Sequence, residues 1–178
     1  MLGAIDVDHD FIRTEVPLEF DEAEKEYFIN NPTRITNYLY LGAYSCTADK
    51  KRLKSHYNIT HIVNCTNSPN KYPDHFIYLQ LMMDENTDIT LYFKRYFDFI
   101  RSAVKQKGKI LVCSSDGRCR AAAMVIALLM ETKKLSYIEA YQVVHKRRYI
   151  VQIAPKLQTV LMNWGNKMTQ GDQKEHFR

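Results

Sequence analysis

The chain has 178 residues, 46% of them apolar, enough for one domain to bury a sizeable core without metal or disulfide support. No apolar run approaches the ~20 residues that a membrane-spanning helix needs. The start, with Asp6, Asp8 and Asp10, also lacks the basic-then-apolar pattern of a secretion signal. Net charge is +5 but unevenly spread: residues 1–26 hold nine acids against Arg13 and Lys25, a net −7, and the rest holds 23 basic and 11 acidic residues, a net +12. A basic body suits an anionic partner. Residues 1–30 read as an acidic, solvated arm, 31–168 as the domain and 169–178 as a tail. Four cysteines without a Cys-x-x-Cys pair lead us to expect reduced thiols and a cytoplasmic or nuclear setting.

Along the chain, Asn31-Pro32 marks a turn, and Tyr38 to Leu41 reads as a short strand closed by Gly42. Ala48 to Tyr57 has helical spacing, and Thr60 to Asn64 is β-branched and apolar, the mark of a buried strand. Phe76 to Leu81 is a further strand, Asp84 to Asp88 a polar loop, and Leu91, Phe93, Phe97, Ile100 and Val104 space out a helix. Lys109 to Val112 reads as a strand and Ala121 to Met130 as a helix. Ser136 with Glu139 forms a capping box that opens a helix to His145. A last helix is expected from about Pro155 to Met168. Strands alternating with helices predict an α/β sandwich around a mostly parallel sheet, in which ligands sit beyond the carboxyl ends of the strands.

At such an end stands Cys113-Ser114-Ser115-Asp116-Gly117-Arg118-Cys119-Arg120. A strand, a short turn with a central glycine and a closing arginine, then a helix makes a cradle for an oxyanion. Backbone N–H groups and the helix N-terminus converge on the anion, and a guanidinium adds bidentate hydrogen bonds. Ser115, Asp116, Gly117, Arg118, Cys119 and Arg120 are therefore the candidate phosphate-binding residues.

The turn is similar to the protein-tyrosine-phosphatase signature His-Cys-x-x-Gly-x-x-Arg, with Gly117 and Arg120 in place. From about Arg34 to Trp164 the chain resembles the catalytic domain of dual-specificity protein phosphatases. Ile35 to Gly42 and Ile59 to Thr66 match that family's first two strands, and Val144 to Pro155 its arginine-rich segment. The resemblance implies the phosphatase sandwich and no cofactor or metal. It puts Ser114 at the nucleophile position and Asp84, 30 residues earlier, at the general-acid position, with Asp88 as the alternative acid. Three departures bear on chemistry: Ser114 replaces the cysteine, Cys113 the histidine before it, and Ala121 the hydroxyl residue after the arginine. A serine hydroxyl stays protonated near neutral pH, and its phosphate ester is hard to release. Cys113 lies one residue early, and strand alternation turns it to the other face.

These losses resemble STYX-type pseudophosphatases, which implies an inactive domain binding phosphorylated Tyr, Ser or Thr of a protein or peptide. Two alternatives stay open. One is an active dual-specificity phosphatase whose cysteine has been replaced, with an echo of the Cys-Ser-Asp-Gly of myotubularin lipid phosphatases. The other is an interaction scaffold that binds no phosphate. Asp116 is expected to point to solvent, Arg118 to reach a second phosphate or to be solvated, and Cys119 to fill space. His145 to Arg148 read as a helix end placed favourably on its dipole rather than a nucleic-acid patch.

Overall fold

The computed structural model describes residues 21–175, with side chains through 168. The strands are β1 (Thr33–Arg34), β2 (Leu39–Ala43), β3 (Ile59–Asn64), β4 (Ile77–Gln80) and β5 (Lys109–Ser114). The helices are α1 (Glu22–Asn30), α2 (Lys50–Ser55), α3 (Phe93–Lys105), α4 (Arg120–Lys133), α5 (Tyr137–Arg147) and α6 (Pro155–Glu175). Tight 3-10 turns at Tyr44–Ala48 and Ile89–Tyr92 lead into α2 and α3.

The sheet runs β1-β2-β5-β3-β4, with β1 antiparallel to β2 and every other pair parallel. Strand alternation divides the core. Leu39, Leu41, Val63, Ile110 and Val112 face one layer with α3 to α6, whereas Tyr40, Ile62, Leu111 and Cys113 face Leu53 of α2 on the other side. Helix α4 is buried continuously from Ala121 to Met130, so it is the central helix of the larger layer. The capping box at Ser136 is formed in full, with Glu139 returning a carboxylate to Ser136.

Four differences from expectation stand out, three of them with a local reason. The expected strand 109–112 continues to Ser114, because both neighbours pair with it as far as Cys113 and β2 pairs on to Ser114. The expected helix from Ala48 is shortened, since Asp49 caps α2 through the Arg52 N–H at 2.9 Å. Helix α6 continues past Met168 to Glu175. The fourth difference is α1, which occupies the end of what reads as a solvated arm; residues 1–20 of that arm lie outside the described residues. Helix α1 buries none of its residues, so no apolar stripe announces it. Asp21 caps it by accepting the Ala23 N–H at 3.2 Å.

Candidate functional site

Strand β5 is central, flanked by β2 and β3, and its last pairing is Ser114 with Ala43. The turn 115–119 therefore leaves from the carboxyl end of the sheet and delivers the chain to the N-terminus of α4 at Arg120. Gly117 makes the turn possible. Its φ is +66°, and a Cβ there would sit 2.4 Å from the Gly42 carbonyl oxygen and 2.9 Å from the Ala43 nitrogen. Both the left-handed backbone and the close approach to β2 demand glycine.

Ser114 is 1% exposed, and its Oγ accepts the Ala121 N–H at 3.3 Å. The oxygen thus lies at the positive end of α4, and among the described residues no histidine or carboxylate bonds it. Cys113 is fully buried in the α2-side layer, and burial holds its thiol well above its ordinary pKa. It is a protonated core residue facing away from the turn.

Arg120 bridges two loops. One guanidinium nitrogen donates to the Ser115 hydroxyl at 2.8 Å, and the other donates to the Met83 carbonyl, just before Asp84. Arg120 thus ties the turn to the loop that carries Asp84. In that loop Asp84 is exposed. Its carboxylate accepts the Thr87 hydroxyl at 2.9 Å and the Asn86 N–H at 2.8 Å, and these bonds hold its pKa below the ordinary value. Asp88 accepts from Thr90 through both hydroxyl and N–H, lowering its pKa too, and caps the 3-10 turn at Ile89. These bonds favour the charged form of both carboxyls, whereas a general acid delivers a proton.

The remaining turn residues are engaged locally. Asp116 does not simply face water: it is half-buried, and its carboxylate folds back to accept the Arg118 N–H at 3.0 Å. Arg118, half-buried, lies along the segment that follows α5. It donates to the Ile150 carbonyl at 3.1 Å and to Gln152 Oε1 at 2.8 Å. Cys119 Sγ accepts the Ala154 N–H at 3.4 Å and packs against the core.

The site residue missed in sequence is Arg148, read there as one of several basic residues at a helix end. It is fully buried. Nε donates to the Gly117 carbonyl at 3.1 Å and Nη2 to the Asp116 carbonyl at 3.0 Å. Nη1 reaches the Phe28 carbonyl at 2.9 Å, Thr33 Oγ1 at 3.2 Å and the Asn31 carbonyl at 3.4 Å. The guanidinium lies 5.4 Å from the Phe28 ring, and that ring meets Tyr149 edge-on. Burial draws the pKa of Arg148 down to about 10, which leaves it charged at neutral pH. By holding the two turn carbonyls behind the cradle, it fixes two peptide planes of the turn, and it fastens α1 to the same place. The signal available in sequence was its neighbourhood: Arg148 directly precedes the apolar run Tyr149-Ile150-Val151, unlike His145 to Arg147.

Among the described residues no cluster of His, Cys, Asp or Glu has the makings of a metal site, and no helix is long and apolar enough to cross a membrane. Residues 39–167 match the family described as dual specificity phosphatase, catalytic domain. The chain is 36% identical over 169 residues to a probable serine/threonine-protein kinase of Dictyostelium discoideum, covering 93% of this chain and 7% of that protein. It is 35% identical over 122 residues to dual specificity protein phosphatase 1 of Arabidopsis thaliana, covering 67% of this chain and 61% of that one. The chain thus spans less than two thirds of both relatives. Among solved structures, the human tyrosine phosphatase-like serine/threonine/tyrosine-interacting protein superposes with a TM-score of 0.73 at 28% identity, covering 78% of this chain and 97% of that one. With this fold, this turn and a match across most of its length, the chain belongs to the dual specificity phosphatase family through its catalytic domain.

Proposed function

We propose that this domain recognises phosphorylated Tyr, Ser or Thr on protein partners without hydrolysing the ester. The observation that carries the reading is Ser114: a buried hydroxyl stands where the family's thiolate attacks, and it accepts the Ala121 N–H. Cys113 faces the other layer, and the Asp84 carboxyl is held as an anion. The features that bind phosphate are of a different kind, namely a glycine turn, a helix N-terminus and Arg120. Replacing a thiolate by a neutral hydroxyl removes a negative charge that would oppose the dianion. Four free cysteines suit a reducing compartment, cytoplasmic or nuclear.

Two observations favour the scaffold reading: Asp116 occupies the Arg118 N–H, and both terminal nitrogens of Arg120 donate within the chain, to Ser115 and Met83. Calorimetry with a phosphotyrosyl or phosphothreonyl peptide separates the two readings. Phosphate-dependent binding, weakened at least tenfold by Arg120→Ala, is expected. The scaffold reading stands if wild type and variant bind equally or neither binds. In the same preparation, turnover of a small aryl phosphate at about 1 per second or more would restore the enzyme reading.

A further inference from the structure

Three lysines on the α2 side of the sheet and in the loop after β3 form a row, each held over an aromatic ring. Lys71 Nζ sits 4.9 Å from the Tyr44 ring centre, Lys50 Nζ 5.3 Å from that of Tyr72 and Lys54 Nζ 5.7 Å from that of Phe76. Lys50 and Lys54 are one turn apart on α2 and share a face. The Lys50 ammonium also donates to His75 Nε2 at 3.1 Å. Among the described residues no carboxylate lies within ion-pair distance of these three ammoniums. Residues 44–76 carry five Lys and Arg against Asp49 and Asp74, and the Asp49 carboxylate is committed to capping α2.

The row begins at the cradle's edge. Tyr44 directly follows Ala43, the sheet partner of Ser114, and its hydroxyl donates to the Pro69 carbonyl, which fixes the loop that carries Lys71. That loop leaves β3 where the Cys65 N–H bonds the Cys113 carbonyl at 2.8 Å, beside the same strand end. From there the positive charge runs outward along α2.

We infer that the Lys71–Lys50–Lys54 row receives acidic residues flanking the phosphoresidue, so the partner is a phosphorylated acidic peptide. This rests on the cradle holding the phosphate. Lys50 and Lys54, one turn apart, are offset by about 6 Å along α2, which two residues of an extended chain match at roughly 3.3 Å each. A peptide suits this surface better than a single-stranded nucleic acid. Nucleic acid recognition needs free ring faces for stacking; here ammoniums stand over three of the rings, and Phe76 is buried. Parking each ammonium on a ring also limits the side-chain freedom lost when a carboxylate arrives.

The test compares two phosphotyrosyl peptides on the full chain by fluorescence anisotropy at low salt. One has Asp and Glu flanks and the other Asn and Gln at the same places, each with an unphosphorylated counterpart. Exposed ion pairs give a few-fold each, so the acidic phosphopeptide is expected to bind about tenfold more tightly, with the advantage shrinking in 0.5 M salt. Lys71→Gln with Lys50→Gln should cut that advantage to under threefold, leave affinity for the neutral-flank phosphopeptide unchanged, and melt as wild type does. Equal affinity for the two flanks, or an advantage that survives both substitutions, overturns the inference. If the unphosphorylated acidic peptide binds as tightly as its phosphorylated form, and does so independently of Arg120, the cradle reading fails and the row alone is the site. Tighter, row-dependent binding of an oligonucleotide overturns the choice of a peptide.

Discussion

Replacing Arg148 by methionine removes the donors behind the cradle while keeping an unbranched stem. The carbonyls of Asp116 and Gly117 would lose their partner, and Gly117 is buried, so water cannot replace it without the turn opening. An orphaned buried acceptor costs about 1–3 kcal/mol, or about 2–6 kcal/mol for the pair. The Phe28 and Asn31 carbonyls lie nearer the surface and rehydrate when α1 lifts away, adding little. Against this, methionine spares the fold part of the cost of burying a cation, an offset of about 1–2 kcal/mol. The expected loss is about 3 kcal/mol, read by urea or guanidinium unfolding. In a domain of this size it appears as a melting temperature roughly 6–12 °C lower. Arg148→Lys should recover only a minor part, because one ammonium has three donors and cannot span both loop carbonyls and the α1 end as a planar fork does. A change below about 1 kcal/mol for methionine, or full recovery by lysine, would refute the argument that these bonds hold the turn.

Gly117→Ala should destabilise by about 2 kcal/mol or more, from the left-handed backbone penalty and the overlap with Gly42, and should abolish oxyanion binding; unchanged unfolding and binding would show that the turn adapts. Ser114→Cys is expected to leave aryl phosphate turnover near background, because Cys113 still stands where the histidine would and Ala121 lacks a hydroxyl; vigorous turnover would instead mark Ser114 as the sole lesion. His61, 4% exposed against the Phe99 ring, has its pKa lowered by burial. The unfolded chain therefore takes up the proton more readily, so this contribution to stability is present above the ordinary histidine pKa and is lost as pH falls through about 6.5 toward the folded value. Melting temperature should drop between pH 7 and 5.5, and less so in His61→Gln; identical profiles would assign the drop to other groups.

Much of the fold was legible because the core is written in local periods. The β-branched run before Asn64, the spacing of Phe93, Phe97 and Ile100, and the Ser136–Glu139 box each specify an element within a few residues. The cradle was legible for the same reason, since Gly117 and Arg120 act within one turn. What sequence did not disclose depends on partners distant along the chain. Arg148 bonds carbonyls more than a hundred residues away, and α1 is secured through its backbone and the Phe28 ring rather than through an apolar face. Asp116 was misjudged because the choice between water and the Arg118 N–H is made by the turn's geometry, not by residue type.

The Arg148 tie also bears on how this surface changes over generations. The backbone of the turn is the mooring of α1 to the body, so a mutation that unravels it lowers the folded population whether or not a phosphate is ever bound. Purifying pressure should thus act on Gly117 and Arg148 through abundance in the cell. Ser114, Cys113 and Ala121, by contrast, take no part in the Arg148 tie. Once turnover no longer matters, a lineage built this way is expected to lose its chemistry first and its cradle last. The empty-handed form of the domain then remains a ready binder from which new recognition can be selected.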